Sequence, residues 1–264
     1  MIPWSLPAAA AAIFLTSLTF SIFGRGGGDL YLPIIISLLP LSYHSCAKIS
    51  LFLIMLQGIS MLIIYHGKHR LVDWGLAVLI GVVVGVSSFL GGFLSYQIPP
   101  TALKITFSIA LLLSAYFIYR GVQAKPPIRR FGVWSRRVGR QEYYFNLLYA
   151  VPPIAFAAFM AGMVGISGGG LIIPVCILLG GVPIRVAMGT NTFLVLASSS
   201  MSFAGHMTRG GFEPLLGLIF GAAVIAGSQI GSRLHVKIGE KTLRKMFAII
   251  LVSAAVWMLA KIFI

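Results

Sequence analysis

Ten apolar runs follow one another along this chain, and the short gaps between them carry most of its charge. Few folds accept that pattern. Runs approaching 20 apolar residues read as membrane-crossing helices, and here they recur from end to end. They fall at roughly 5–23, 30–41, 46–65, 74–96 and 101–119, then at 143–163, 171–182, 187–208, 214–234 and 242–263. Composition agrees: 58% of residues are hydrophobic, 9% are charged and the mean hydropathy is +0.98, whereas soluble domains carry about 25% charged residues. The expectation is an all-α polytopic membrane protein.

The net charge of +15 would suit a nucleic-acid partner only on a soluble basic face. Basic residues confined to the gaps suit anionic lipid headgroups and membrane topology instead, so membrane lipids are expected as surroundings and nucleic acid is not. Cys46 and Cys176 sit in or beside apolar stretches at no metal or disulfide spacing, and read as packing residues. An enzyme would need a nucleophile with its base, a metal cluster or paired carboxylates. His66 and His69 lie in a loop, and the chain has neither H-E-x-x-H nor G-x-S-x-G, so no catalytic residue, cofactor or metal is expected. The stretch "MIPWSLPAAAAAIFLTSLTF" lacks a basic start and a clear cleavage site, and reads as a retained first helix.

The runs divide five and five around "RGVQAKPPIRRFGVWSRRVGRQEYY", the one stretch that reads as an extended polar linker. The halves resemble each other. "GRGGGDLYLP" aligns with "GISGGGLIIP" at an offset of 141, pairing Gly24 with Gly165, Gly27 with Gly168, Gly28 with Gly169, Leu30 with Leu171 and Pro33 with Pro174. After one slip the offset is 140, and it pairs Ala47 with Ala187, Ser60 with Ser200, Asp73 with Glu213, Gly81 with Gly221, Gly91 with Gly231, Leu103 with Leu243 and Phe107 with Phe247. The chain therefore reads as a duplication: a first transmembrane repeat at 1–120, a basic linker at 121–142 and a second repeat at 143–264.

Five crossings per repeat, or three if the first two segments form a re-entrant pair, place the second repeat upside down relative to the first. The basic residues fit two inverted repeats. With the linker cytoplasmic, Lys68, Arg70, Arg120, Lys125, Arg129, Arg130, Arg136, Arg137, Arg140, Arg185, Arg233, Lys237, Lys241, Arg244 and Lys245 fall inside. Lys48, Lys104, Arg209 and Lys261 fall outside, as the positive-inside rule prefers. The expected location is a multi-pass cell-membrane protein with both termini on the non-cytoplasmic side.

Runs 30–41 and 171–182 are too short to cross about 30 Å of hydrocarbon at about 1.5 Å per residue. They read as half-helices, each behind a glycine run that breaks the helix before it. Broken backbone at membrane depth needs protein or a water-filled cavity to satisfy its polar groups. Each half-helix presents free N–H groups and the positive end of its dipole, and two such ends brought together by inverted repeats suit an anion. The rival reading is that the glycines only let helices pack closely.

Residues 162–206, "GMVGISGGGLIIPVCILLGGVPIRVAMGTNTFLVLASSSMSFAGH", resemble the glycine-rich segment of the TauE/SafE sulfite exporter family, with its G-x-G-G-G-x-x-x-x-P-x-L pattern followed by A-x-G-T. The first half carries a weaker copy, so the resemblance covers nearly the whole chain. It implies a membrane transporter for a small sulfur-containing anion, sulfite or an organosulfonate such as sulfoacetate or taurine. Ser167 stands where the pattern has glycine, and Cys176 where it has leucine. Arg25 and Asp29 flank the first glycine run alone.

The candidate anion site follows from these residues. Gly26, Gly27, Gly28, Gly168, Gly169 and Gly170 would expose backbone donors. Ser167, Thr190, Asn191 and Thr192 would add neutral donors, unless the last three only bond neighbouring helices. Arg25 would neutralise the anion through its planar fork, pair with Asp29, or snorkel to the interface. Asp29 is the candidate for proton coupling. Lys48 reads equally as an interfacial anchor, and His44 as an ordinary polar residue. Asp73 and Glu213 read as helix-start carboxylates favoured by the dipole. Alternating access around a closed central site is the expected mechanism, with a passive anion channel as the alternative.

Overall fold

A computed structural model of the chain describes residues 5–95, 97, 100–120, 132–139, 141–166, 168–208 and 210–260. The first half forms α1 (Ser5–Ser21), α2 (Gly28–Leu38), α3 (Tyr43–Gly67), α4 (Trp74–Leu94) and α5 (Pro100–Tyr119). Two strands follow, β1 (Val133–Val138) and β2 (Gln141–Asn146). The second half forms α6 (Leu147–Val164), α7 (Gly169–Leu178), α8 (Ile184–Met207), α9 (Pro214–Leu234) and α10 (Glu240–Ala260), with a short 3-10 turn at His235–Lys237. α3, α4, α6, and α9 with that turn are long and apolar enough to cross a membrane. The fold is that of an all-α polytopic membrane protein.

Helix ends follow local chemistry. Ser42, Asp73 and Asn146 cap α3, α4 and α6, their side chains accepting the N–H of Ser45, Leu76 and Tyr149, and Pro214 opens α9. Glu213, duplicate of Asp73, stands at the start of α9 but caps no N–H and is exposed. α1 and α6 end alike. Gly24 and Gly165 sit at φ of 60° and 78°, and the N–H of the next residue reaches back five positions, Arg25 to the Phe20 oxygen and Ile166 to the Ala161 oxygen. That closure needs a left-handed residue, which glycine supplies without a steric penalty. The single glycines Gly24 and Gly165 therefore end the preceding helices, and the triple-glycine runs begin the half-helices.

The packing is paired. α1 lies on α9 as α6 lies on α4; α2 lies on α3 as α7 lies on α8; and α4 packs on α8 as α9 packs on α3. α3 packs on its own duplicate α8, and α5 on its duplicate α10. Close contacts repeat too: a side chain at Gly91 would strike the Phe159 oxygen, and one at the matching Gly231 would strike the Leu18 oxygen. Small residues let these backbones approach, as membrane helices require.

Where an extended linker is expected, the described residues form an antiparallel hairpin. Its register runs from Val133 opposite Asn146 to Val138 opposite Gln141; residues 121–131 and 140 lie outside the described residues. The run expected to start a helix at 143 starts as a strand instead, because "EYYFN" alternates: Tyr143 and Phe145 are buried while Tyr144 is exposed. Period-two burial is the mark of a half-buried strand.

Candidate functional site

Eleven residues of α2 and ten of α7 span only about 16 Å and 15 Å, so both are half-length. Neither has a side-chain cap. They differ in what stands at their starts.

At the first break a side chain already bonds the backbone. The Gly27 N–H donates to Gln57 Oε1 at 2.8 Å, and the Tyr31 hydroxyl donates to the same oxygen at 2.9 Å. Gln57 Nε2 donates to Ser21 Oγ at 2.8 Å. Tyr65 donates its hydroxyl to the Ser21 and Ile22 oxygens, and His235 Nδ1 lies 2.7 Å from the Ile22 oxygen. Gln57 sits on α3 and was not among the sequence candidates. The signal for it was a lone amide inside an apolar run, a residue type kept within membranes only where it is bonded.

The second break is where the charge goes. Arg25 extends from the first break to the start of α7, so that a side chain at Gly170 would strike its guanidinium and one at Gly169 would meet its stem at 3.1 Å. Arg25 is 0% exposed and Asp29 1%, which rules out snorkelling. The two form an ion pair through Nη2 and Oδ2, and the guanidinium lies 5.2 Å from the centre of the Phe20 ring. Nε and Nη1 have no hydrogen-bond partner among the described residues.

Asn191 completes this cluster. Its Nδ2 donates to the Gly24 oxygen at 2.7 Å and stands against Gly169, while its buried Oδ1 has no partner among the described residues. Its neighbours on α8 are engaged elsewhere. Thr190 Oγ1 accepts the Asp73 N–H at 3.0 Å, and Thr192 Oγ1 donates to the Gly189 oxygen at 2.7 Å. Gly26, Gly28 and Gly168 are buried beside the breaks, and Ser167 lies outside the described residues. The fold thus brings together Arg25, Asp29, Gly169, Gly170 and Asn191.

Two other sequence candidates are placed away from this cluster. Lys48 is 4% exposed, and its Nζ donates to the Gly210 and Gly211 oxygens. Asp73 is a cap, as expected, but also receives Arg136 Nε at 3.0 Å and the Tyr143 hydroxyl at 2.7 Å. Burial alone would raise its carboxyl; the bonds from Arg136, Tyr143 and Leu76 outweigh that and hold it below the usual carboxylate range. Burial and the Asp73 carboxylate push the Tyr143 phenol up, so it remains a donor. Cys46 and Cys176 are free and buried, and no group of residues able to hold a metal occurs among the described residues.

The sulfite exporter TauE/SafE family matches residues 9–258. The chain belongs to this family. Like the other members of TauE/SafE, it is a multi-pass membrane transporter, not an enzyme. It is similar to a probable membrane transporter protein, YunE, of Bacillus subtilis, at 25% identity over 88% of this chain and 89% of the relative. A probable membrane transporter protein of Methanocaldococcus jannaschii is 26% identical over 96% of this chain and 95% of its own length. One of Haemophilus influenzae is 27% identical over 92% and 91%. No solved structure matches the chain.

Proposed function

We propose that this TauE/SafE protein carries a sulfur-containing oxyanion, sulfite or an organosulfonate such as sulfoacetate or taurine, held between Arg25 and the start of α7. The observation that carries this reading is the buried Arg25 guanidinium, set against the uncapped end of α7, with two of its three nitrogens free of hydrogen-bond partners among the described residues. A guanidinium beside the positive end of a helix dipole is unfavourable unless an anion lies between them. Asp29 meets one nitrogen only. A sulfonate or sulfite group offers oxygens that suit the planar fork on one side and backbone N–H groups on the other. Gly169 and Gly170, which carry no side chain, let the guanidinium and Asn191 lie directly against the start of α7.

Transport proceeds by alternating access between two inverted repeats, 1–120 and 143–264, with linker 121–142 cytoplasmic and both chain ends outside. Inversion brings both half-helix starts toward the membrane midplane, as in other repeat-built transporters. The paired packing of α1 on α9 and α6 on α4 supports the duplication on which this rests. Full burial of Arg25 and Asp29 favours an occluded site over a continuous anion channel. An inside-negative potential would drive anion export by about 2.3 kcal/mol per charge per 100 mV. Import would need a coupling ion, and Asp29 is placed to carry a proton.

A thermal-shift panel of sulfite, taurine, sulfoacetate, thiosulfate and sulfate on the purified protein tests the reading, since ligands of the native state raise its stability. At least one sulfite or sulfonate should raise the melting midpoint, and less so in Arg25→Gln. No shift from any of them would refute it.

A further inference from the structure

Arg136 and Tyr143 are directly opposed across the β1–β2 hairpin, and both bond Asp73 at the start of α4. Their neighbours on the same face act alongside them. The Trp134 ring lies 4.2 Å beneath the Arg136 guanidinium. Phe145, opposite Trp134, is 0% exposed and fills the space over Gly180 just beyond α7. The other face carries the exposed pair Arg137 and Glu142 at 3.5 Å. One side of the hairpin therefore faces the helices and the other faces water.

Four parts of the fold meet under that inner face. The guanidinium of Arg136 also covers Gly75 on α4. The Asp73 N–H bonds Thr190 on α8, and the Leu71 oxygen rests against Gly189. The hairpin thus ties α4 and the tip of α7 to the start of α8. α7 and α8 carry Gly169, Gly170 and Asn191 at the proposed anion site.

Among the described residues, the duplicate position has no such fastening. Glu213, matching Asp73, is exposed and caps nothing. The described loop between α8 and α9 is held to α3 by the Lys48 ammonium on two carbonyl oxygens. The two pseudo-equivalent closures therefore differ in chemistry, a clamped carboxylate at one and an ammonium on two carbonyl oxygens at the other.

We propose that the hairpin is a latch: Arg136 and Tyr143 clamp Asp73 and keep the end of the fold above α7 shut, so that this closure is the tighter of the two. Its consequence for transport rests on the alternating-access reading above, but the latch itself does not. Releasing Asp73 lifts Phe145 from Gly180 and opens the way to the C-terminal half of α7. Cys176 lies there, 4% exposed, and its oxygen accepts the Val182 N–H at 3.0 Å.

Cys176 reports the latch directly. In full-length Cys46→Ser protein it is the single thiol, and N-ethylmaleimide labels it only when this end opens. At a temperature well below melting and with no anion added, Arg136→Gln should raise the labelling rate about ten-fold or more, because a charge-assisted bond is lost. Tyr143→Phe should raise it less, and serves alone if Arg136→Gln does not fold. Lys48→Met, at the opposite closure, should leave it at the parent rate. Parent rates in both hairpin variants would overturn the latch, as would an equal rise in Lys48→Met. A protein that bound no sulfur anion at all would still give the predicted labelling, so the two proposals fail separately.

Discussion

The Arg25 guanidinium occupies the space that a side chain at Gly170 would fill. By the duplication, Gly170 is the position that Asp29 holds in the first repeat. One copy carries the carboxylate, and the other leaves a gap that the first copy's arginine enters. The two glycine runs have diverged into unlike halves of one cluster.

Gly170→Ala tests that contact. The residue is helical, so alanine suits the backbone, but its methyl meets the guanidinium. Overpacking of this kind costs about 1–3 kcal/mol. The melting midpoint should fall and any sulfonate-induced shift should vanish. Wild-type values for both would separate Arg25 from α7.

The Arg25–Asp29 pair makes a second prediction. Removing one partner strands the other charge in a dry interior, at a cost of about 3–5 kcal/mol. Arg25→Gln and Asp29→Asn should each be strongly destabilised. The double variant should be less destabilised than the sum of the two, yet bind no anion. Additive losses in chemical denaturation would mean that the pair is not coupled.

Asp73 predicts a pH dependence. Its folded carboxyl is held below its ordinary value, so its contribution is complete above about pH 4 and is lost as pH falls through the lowered value. Wild-type protein should lose stability on that acid limb more steeply than Asp73→Asn, whose amide does not titrate. Melting midpoints measured from pH 7 down to about pH 3 would show parallel curves if the bonds from Arg136 and Tyr143 contribute nothing.

Much of the fold was legible because membrane helices announce themselves by composition. Gly24 and Gly165 could be matched by spacing, and both end a helix at positive φ. The half-length of α2 and α7 followed from counting apolar residues. The meeting of Arg25 with Gly170 was not legible, since it depends on how the repeats interleave, which no local pattern encodes. Gln57 was hidden for a related reason: its partner Gly27 lies on another segment. The hairpin was missed because Tyr143 and Phe145 adjoin the apolar stretch of α6, and a two-residue alternation is easily absorbed into a longer run. Thr190 shows the limit of residue type, as its hydroxyl serves the Asp73 backbone although Asn191 beside it faces the glycine break.

Counterflow in proteoliposomes tests the central claim most directly. Vesicles loaded with sulfite or sulfoacetate and diluted into a trace of the labelled anion should accumulate label with wild-type protein and not with the Arg25→Gln/Asp29→Asn variant, although both are folded. Equal accumulation by the two proteins would show that the buried arginine is not where the anion is held.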